Sequence, residues 1–479
     1  MRQRACTIIA AIIMMLLAGC TVGPKYARPS VPTAPMDAFK EMDGWKTAGP
    51  SDQLQRGAWW EIFGDEQLNA LEAQLTISNQ DLKVAQARFQ RARAVIRFNR
   101  ASQFPTISTA PGIASIRDSA NRPYFKTTSA TGDFVLPFDL SYELDVWGRV
   151  RRTVAASREE AQATAADLET VSLSLHAELA FDYFELRSAD AQKQLLDDTV
   201  KAYQDALQLT TNRFEGGAAP KSDVAQARTQ LETTMVQDTD VSVERAQFEH
   251  AIAILLGKPP AAFELPPLPF QVEPPAISVG LPSQLLERRP DIAAAERRVA
   301  ESNEQIGIAR AAFFPTIVLS ASAGFEGNSI TNWFNWPSRF WALGPSALET
   351  LFDAGRRRAT SQAALANYDA TVAGYRETTL TALQQVEDNL AALRILDQEA
   401  QQQKDATASA QESLQVFTDR YIGGADPYLQ VLTAQTIALQ NERNDVDIRR
   451  RRMDASVLLI KALGGGWNAS QLPKVAQLR

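Results

Sequence analysis

From Leu68 onward the apolar positions recur at alternating steps of three and four: Leu68, Leu71, Leu75, Leu82, Ala85, Phe89, Ala92 and Ile96. This is the spacing of a helical packing seam. Leu285, Ile292, Ala295, Val299 and Ile306 follow the same register later in the chain. Each helix is expected to stop at Phe104-Pro105 or Phe314-Pro315, because the residue before proline is pushed out of the right-handed helical region. The period then changes to two. Phe134, Leu136, Phe138, Leu140, Tyr142 and Leu144 alternate with Val135, Pro137, Asp139, Ser141, Glu143 and Asp145. Ile317, Leu319, Ala321, Ala323 and Phe325 likewise alternate with Thr316, Val318, Ser320, Ser322 and Glu326. These segments predict strands of about ten residues with one apolar face, the length of a tilted strand crossing a bilayer. Less regular partner strands are expected over 106–117 and 339–351, and Trp333, Trp336, Phe340 and Trp341 cluster like an interfacial aromatic girdle. After Gly148 and Gly355 come Ala-rich, proline-free stretches reaching Phe214 and Tyr421. Each is about 65 residues of predicted helix, roughly 100 Å at 1.5 Å per residue. A Gly-Gly turn follows, and a second helix returns to Leu256 or Leu463. Hairpins of that length need lateral neighbours of their own kind.

The chain is written twice. Residues 212–220 recur as 419–427, and Leu256-Gly257 and Gly148-Arg149 recur as Leu463-Gly464 and Gly355-Arg356, all at an offset of 207. Upstream the offset is 210: residues 100–107 match 310–317, and 79–82 match 289–292. Several matches in one order indicate a tandem internal repeat. Eight of the 24 prolines fall within 259–282, a linker that can be neither helix nor central strand. The organisation is therefore a signal peptide (1–19), an extended leader (20–60), repeat 1 (61–258), the linker (259–282), repeat 2 (283–464) and a tail (465–479).

Composition narrows the chemistry. The 479 residues carry a formal charge of −7, two His and two Cys. An acidic chain lacks the basic field that nucleic acid needs. So few His and Cys disfavour zinc, disulfide frameworks and His-dependent catalysis. His176 and His250 have no ligand spacing, and no metal site is expected. Arg2 and Arg4 precede an apolar run over 8–18, too short to span a bilayer, and Leu17-Ala18-Gly19-Cys20 reads as a lipobox. Cleavage there makes Cys20 the N-terminus and the only thiol, carrying diacylglycerol and an N-acyl chain as its sole prosthetic group. Losing Arg2 and Arg4 takes the charge from −7 to −9. No later run of 18 apolar residues exists, so any crossing of the bilayer needs a closed β-barrel. The alternation by itself also suits a half-buried soluble hairpin; the secretion and lipidation signals favour the membrane. Four strands per chain cannot close a barrel, for which about eight is the practical minimum. Several chains must share one, and three would give twelve strands above twelve helical segments.

These residues resemble the TolC-type outer-membrane factors, in the NodT-like lipoprotein branch that serves resistance–nodulation–division (RND) efflux pumps. The resemblance runs from Cys20-Thr21-Val22-Gly23-Pro24 to Gly464-Gly465-Gly466-Trp467. Between these ends it includes Trp59-Trp60, Arg289-Pro290-Asp291-Ile292, Ala311-Ala312-Phe313-Phe314-Pro315, Leu351-Phe352-Asp353-Ala354-Gly355-Arg356 and Tyr428-Leu429 with Ala434-Gln435. It implies a mainly α fold with a membrane β-barrel: a homotrimer with a 12-stranded barrel in the outer membrane of a Gram-negative bacterium and a 12-helix periplasmic tube. It also implies a periplasmic adaptor and an inner-membrane RND transporter as partners, and no catalysis. The periplasmic gate falls on Leu429 and Tyr421, with Thr433 where many members carry an acid, so a charged constriction would come from Asp426 or Asp223. Gly216, Gly217, Gly423 and Gly424 form the adaptor-docking tip. Asp139, Glu143 and Asp145 on the polar strand face predict a lumen that mildly favours cations. Arg149, Arg151, Arg152, Arg356, Arg357 and Arg358 begin helices, where the macrodipole disfavours cations, and are expected to form a collar against anionic headgroups. Two alternatives stay open: the exit duct of a type I protein secretion system, and a lipid-anchored coiled-coil scaffold without a pore.

Overall fold

The computed structural model describes residues 21–31, 39–41, 57–117, 119, 121, 129–270, 272–275, 277, 285–474 and 476–478. The signal segment and Cys20 lie outside the described residues. Helices α1 (Glu66–Ser78) and α2 (Gln80–Ala101) come first. They lead into strands β1 (Thr106–Ser108), β2 (Gly112–Ile116) and β3 (Thr131–Glu143). Helices α3 (Arg149–Glu215) and α4 (Lys221–Leu255) then form the first long hairpin. The second half runs α5 (Leu285–Arg288), α6 (Pro290–Ala311), β4 (Thr316–Gly327), β5 (Arg339–Leu348), α7 (Arg356–Ile422) and α8 (Tyr428–Ala462). Corresponding helices have equal lengths: 22 residues for α2 and α6, 67 for α3 and α7, and 35 for α4 and α8. Among the described residues no helix is long and apolar enough to cross a membrane.

Two expectations need correction. The seam from Leu68 to Ile96 belongs to two helices, because the backbone breaks at Asn79 (φ −58°, ψ 132°). The Asn79 side chain accepts from Leu82 N at 2.9 Å and donates to the Leu255 carbonyl at 2.8 Å. It thus caps α2 and ties it to the end of α4. The first strand is also interrupted. Thr106 pairs with Ser141 and Gly112 with Val135 in one unbroken register, yet 109–111 leave the ladder. Pro111 and Pro137, which face this gap, have no N–H to donate, and the Thr109 hydroxyl instead donates to the Pro137 carbonyl at 2.7 Å.

The strands form one antiparallel sheet in the order β1/β2, β3, β4, β5. Directly paired residues share a face. One face therefore carries Ile107, Ile113, Phe134, Leu136, Leu140, Leu319, Phe325, Trp341 and Leu343. The other carries Ser108, Asp133, Asp139, Glu143, Ser320, Ser322 and Glu326. Trp341 joins the apolar face, whereas Phe340, expected beside it in the girdle, pairs with Gly324 on the polar one. The sheet's outer edges, β1/β2 and β5, have no partner strand among the described residues.

Below the sheet α3 runs the full length, flanked by α2 and α6 near the strands and by α4 and α8 beyond them. Helix α7 packs on α6 and then on α8. The largest apolar core lies midway along α3, where Tyr183, Phe184 and Leu186 meet Trp59, Leu68, Leu75, Ile252, Val457 and Ile460. His176 is buried there. Its Nδ1 lies 2.5 Å from Glu72 Oε2, and its ring stacks on Trp60 with centroids 4.3 Å apart. Burial pushes the imidazole down to about 4 and raises the Glu72 carboxyl, so the two pack without full charge separation.

Candidate functional site

Three places along the long axis collect the candidate residues: the polar sheet face, the junction of strands and helices, and the hairpin tips.

Asp139 stands on the polar face, paired with Ser108 on one side and Ser322 on the other. Glu143 ends β3 on that face, but Arg149 grips it, donating from Nε at 3.0 Å and from the second guanidinium nitrogen at 2.5 Å. Asp145 lies past the strand. Its carboxylate accepts from Val150 N at 3.0 Å and Arg151 N at 2.8 Å, capping α3, and from Arg151 Nε at 3.1 Å. Of the three expected acids only Asp139 is therefore free of an arginine among the described residues; Glu326, on the polar side of the second alternation, shares its face, as does Asp133, which the sequence pattern did not select.

The same geometry corrects the basic collar. Arg152 is buried against Glu304 at 2.8 Å, and Arg357 reaches Glu349 at 3.2 Å and Asp353 at 2.9 Å. Of the six, only Arg356 and Arg358 stand exposed with no ion pair to a described residue. The helix starts hold these cations because an acid is supplied nearby in four of the six cases.

At this junction Trp147 stacks on Phe314 with centroids 4.6 Å apart and donates to the Pro315 carbonyl at 2.9 Å. The leader begins here, with Val22 N donating to the Trp147 carbonyl at 3.2 Å. It then descends along α6 and α7. Tyr26 bonds Glu296, Arg28 reaches the Tyr375 hydroxyl at 3.2 Å, and Arg376 donates to the Ser30 carbonyl at 3.2 Å. Glu387 holds the backbone N–H groups of Lys40 at 2.7 Å and Glu41 at 3.0 Å. Nothing in the sequence pattern had singled out Glu387.

At the tips the two turns are built alike. Gly217 N donates to the Phe214 carbonyl at 3.0 Å and Ala218 N to the Arg213 carbonyl at 2.7 Å, a Schellman closure. Gly424 and Ala425 repeat it on Tyr421 and Arg420 at 3.0 and 2.8 Å. Only the second glycine of each pair is left-handed, at φ +77° in both, while Gly216 and Gly423 are ordinary right-handed residues.

The gate candidates separate into two groups. Leu429 is 52% exposed, and Thr433, one turn on, is exposed beside it, its hydroxyl bonded to the Leu429 carbonyl at 2.9 Å. Tyr421 is only 4% exposed and packs edge-on to Tyr428, with centroids 5.3 Å apart, in an apolar cluster with Ala227 and Val431. Burial, with the neighbouring Tyr421, Tyr203 and Asp223, pushes the Tyr428 hydroxyl up to about 12. Asp426 is bound by Arg420 at 2.6 and 3.1 Å, and this hydrogen bonding holds its carboxyl below the usual range. Arg213, which sequence reasoning passed over, crosses between the hairpins. It donates to the Ile422 carbonyl at 2.8 Å and lies 4.7 Å from the Tyr421 ring centroid. The signal was present, since Arg213 occupies in the first repeat the place of Arg420 in the second.

A family model described as "Outer membrane efflux protein" matches residues 71–258 and 281–465. The chain is 33% identical over 485 residues to a probable efflux pump outer membrane protein, SepC, of Pseudomonas putida, covering 98% of this chain and 99% of that one. It is 31% identical over 467 residues to the cation efflux system protein CusC of Escherichia coli, covering 96% and 99%. Among solved structures, the outer-membrane channel OprN superposes with a TM-score of 0.87 at 29% identity, covering 94% of this chain and all of that one. With matches to both halves and across nearly its whole length, the chain belongs to the outer membrane efflux protein family.

Proposed function

We propose that this protein is the exit duct of a tripartite efflux pump, assembled as a homotrimer in the outer membrane and fed by a periplasmic adaptor and an inner-membrane RND transporter. The observation that carries the reading is the four-stranded sheet. It has one apolar face and two edges unpaired among the described residues, which cannot stand in lipid until further strands close them. Three copies give twelve strands around a polar lumen.

The helical layer has open edges that fit one another. Within the chain α6 packs on α3 and buries Ala156, Ala163 and Ala166. The equivalent face of α7, 207 residues on, is Ala363, Ala370 and Ala373, all exposed. The flank that α6 turns to α3 includes Arg297 and Glu304, paired with Glu159 and Arg152. Its counterpart on α2, 210 residues earlier, includes Ala87 and Ala94, also exposed. Docking α2 of one copy on α7 of the next repeats the contact already made between α6 and α3, as a duplicated unit would.

The leader supports lipid anchorage on Cys20: Val22 is tied to Trp147 where strands give way to helices, the level of the inner headgroups. At the far end Leu429 and Thr433 line the constriction, and the Gly216-Gly217 and Gly423-Gly424 turns face the adaptor. Opening requires the α7–α8 hairpin to leave α3, and Arg213 is the tie nearest the tip that must break. In planar bilayers the purified trimer is expected to conduct weakly, and Arg213→Ala to raise the open fraction severalfold. A protein that never conducts, in either form, would return the scaffold reading.

A further inference from the structure

Helices α3 and α8 belong to different hairpins, and their contact is the seam along which the second hairpin must shear to open the tip. Midway along it one guanidinium serves three carboxyl groups. Arg450 bonds Glu185 of α3, Asp454 at 3.0 Å and Asp447 at 2.8 Å. Glu185 and Asp454 are 7% and 8% exposed and accept from the same Arg450 Nη1 across the seam, while Asp454 Oδ1 has no hydrogen-bond partner among the described residues. The surroundings add negative charge. Along α3 stand Glu178 and Asp182, from α4 comes Glu244, and beyond Asp454 the next cation on α8 is Lys461. On the α7 side, Asp397 and Glu399 are taken up by Arg452 and Arg451. One arginine cannot neutralise both buried carboxylates and Asp447, and two buried carboxylates that converge on one guanidinium nitrogen do not both ionise.

We infer that Glu185 and Asp454 share a proton that latches the two hairpins together, so that losing it loosens the α3–α8 seam and favours the open tip. Burial and the Glu185 carboxylate push Asp454 up to about 8, and burial with Glu178 and Glu185 brings Asp182 to about 7. The sign follows from these directions. An opened, hydrated Asp454 regains its ordinary low value, so opening releases a proton between that value and about 8. Acid then favours the closed seam and alkali the open one, by at most about tenfold per pH unit for one proton.

The inference rests on the gated-channel reading, and two measurements on the trimer keep the two apart. Hydrogen exchange over 447–460, normalised to intrinsic rates, should rise severalfold in the wild type between pH 6 and pH 9, and bilayer currents should rise with it. Asp454→Asn, which fixes the protonated form, should flatten both profiles at the low-exchange level; Glu185→Gln is the second variant should the first not assemble. A wild-type pH response that survives in both variants overturns the latch. The exchange response without any current would leave the latch standing and remove the channel reading.

Discussion

At the scale of single residues, the charged groups that matter are those whose partners were assigned by the fold. Asp139 and Glu143 are indistinguishable in the alternation of β3, yet one faces serines and the other is held by Arg149. Asp139→Asn is therefore expected to move the reversal potential in a KCl gradient toward zero without changing the melting point. A shift toward anion preference in the wild type would contradict the acidic lumen outright. Glu72 and His176 make the opposite case, a pair buried in the helical core. His176→Phe keeps an aromatic ring against Trp60 but strands the Glu72 carboxyl, at a cost of about 1–3 kcal/mol. Adding Glu72→Leu should restore most of that loss, because replacing both partners by apolar groups removes the stranded acid. The melting points of the single and double variants decide it: equal losses would mean the pair is not coupled.

At the scale of elements, the hydrophobic period located the long helices and strands, and what it missed was set by single polar groups. The heptad seam passes straight through Asn79, since a capping side chain does not disturb the spacing of leucines on either side. In the second half the same break is visible, because Pro290 opens α6. The interruption of the first strand was written in Pro111 and Pro137, but only the register shows that they face one gap. Asp145 looked like a strand residue because it continues the alternation by one step, while its carboxylate caps the next helix. The tip turns were legible as Gly-Gly, though not which glycine reverses the chain. Gly217→Ala or Gly424→Ala places a Cβ at φ +77° and should cost about 1–2 kcal/mol. Gly216→Ala and Gly423→Ala should be neutral or slightly stabilising. Hydrogen exchange at Ala218 and Ala425, whose N–H groups close the turns, should accelerate in the first pair of variants only.

At the scale of the whole molecule, a single chain is an open strip with two unlike edges: α2 and α4 on one side, α7 on the other, and β1/β2 facing away from β5. Unlike edges make head-to-tail contacts, which form a closed ring only when the rotation per copy divides a full turn. In the proposed trimer the duplicated unit would set that rotation, because the step from α3 through α6 to α7 inside one chain is the step the next copy would continue. An internal contact thus serves as the template for the external one, and the two can be separated by substitution. Ala163 is wholly buried between α3 and its neighbours, so enlarging it disrupts the chain itself. Ala370, its counterpart on α7, is exposed within one copy and would be covered only by the next. Ala370→Trp should leave the helical circular dichroism of the detergent-solubilised protein unchanged, while light scattering reports monomers in place of trimers. A trimer of unchanged mass would show that the α7 face is not where the copies meet, and the ring would then have to close through the sheet edges alone.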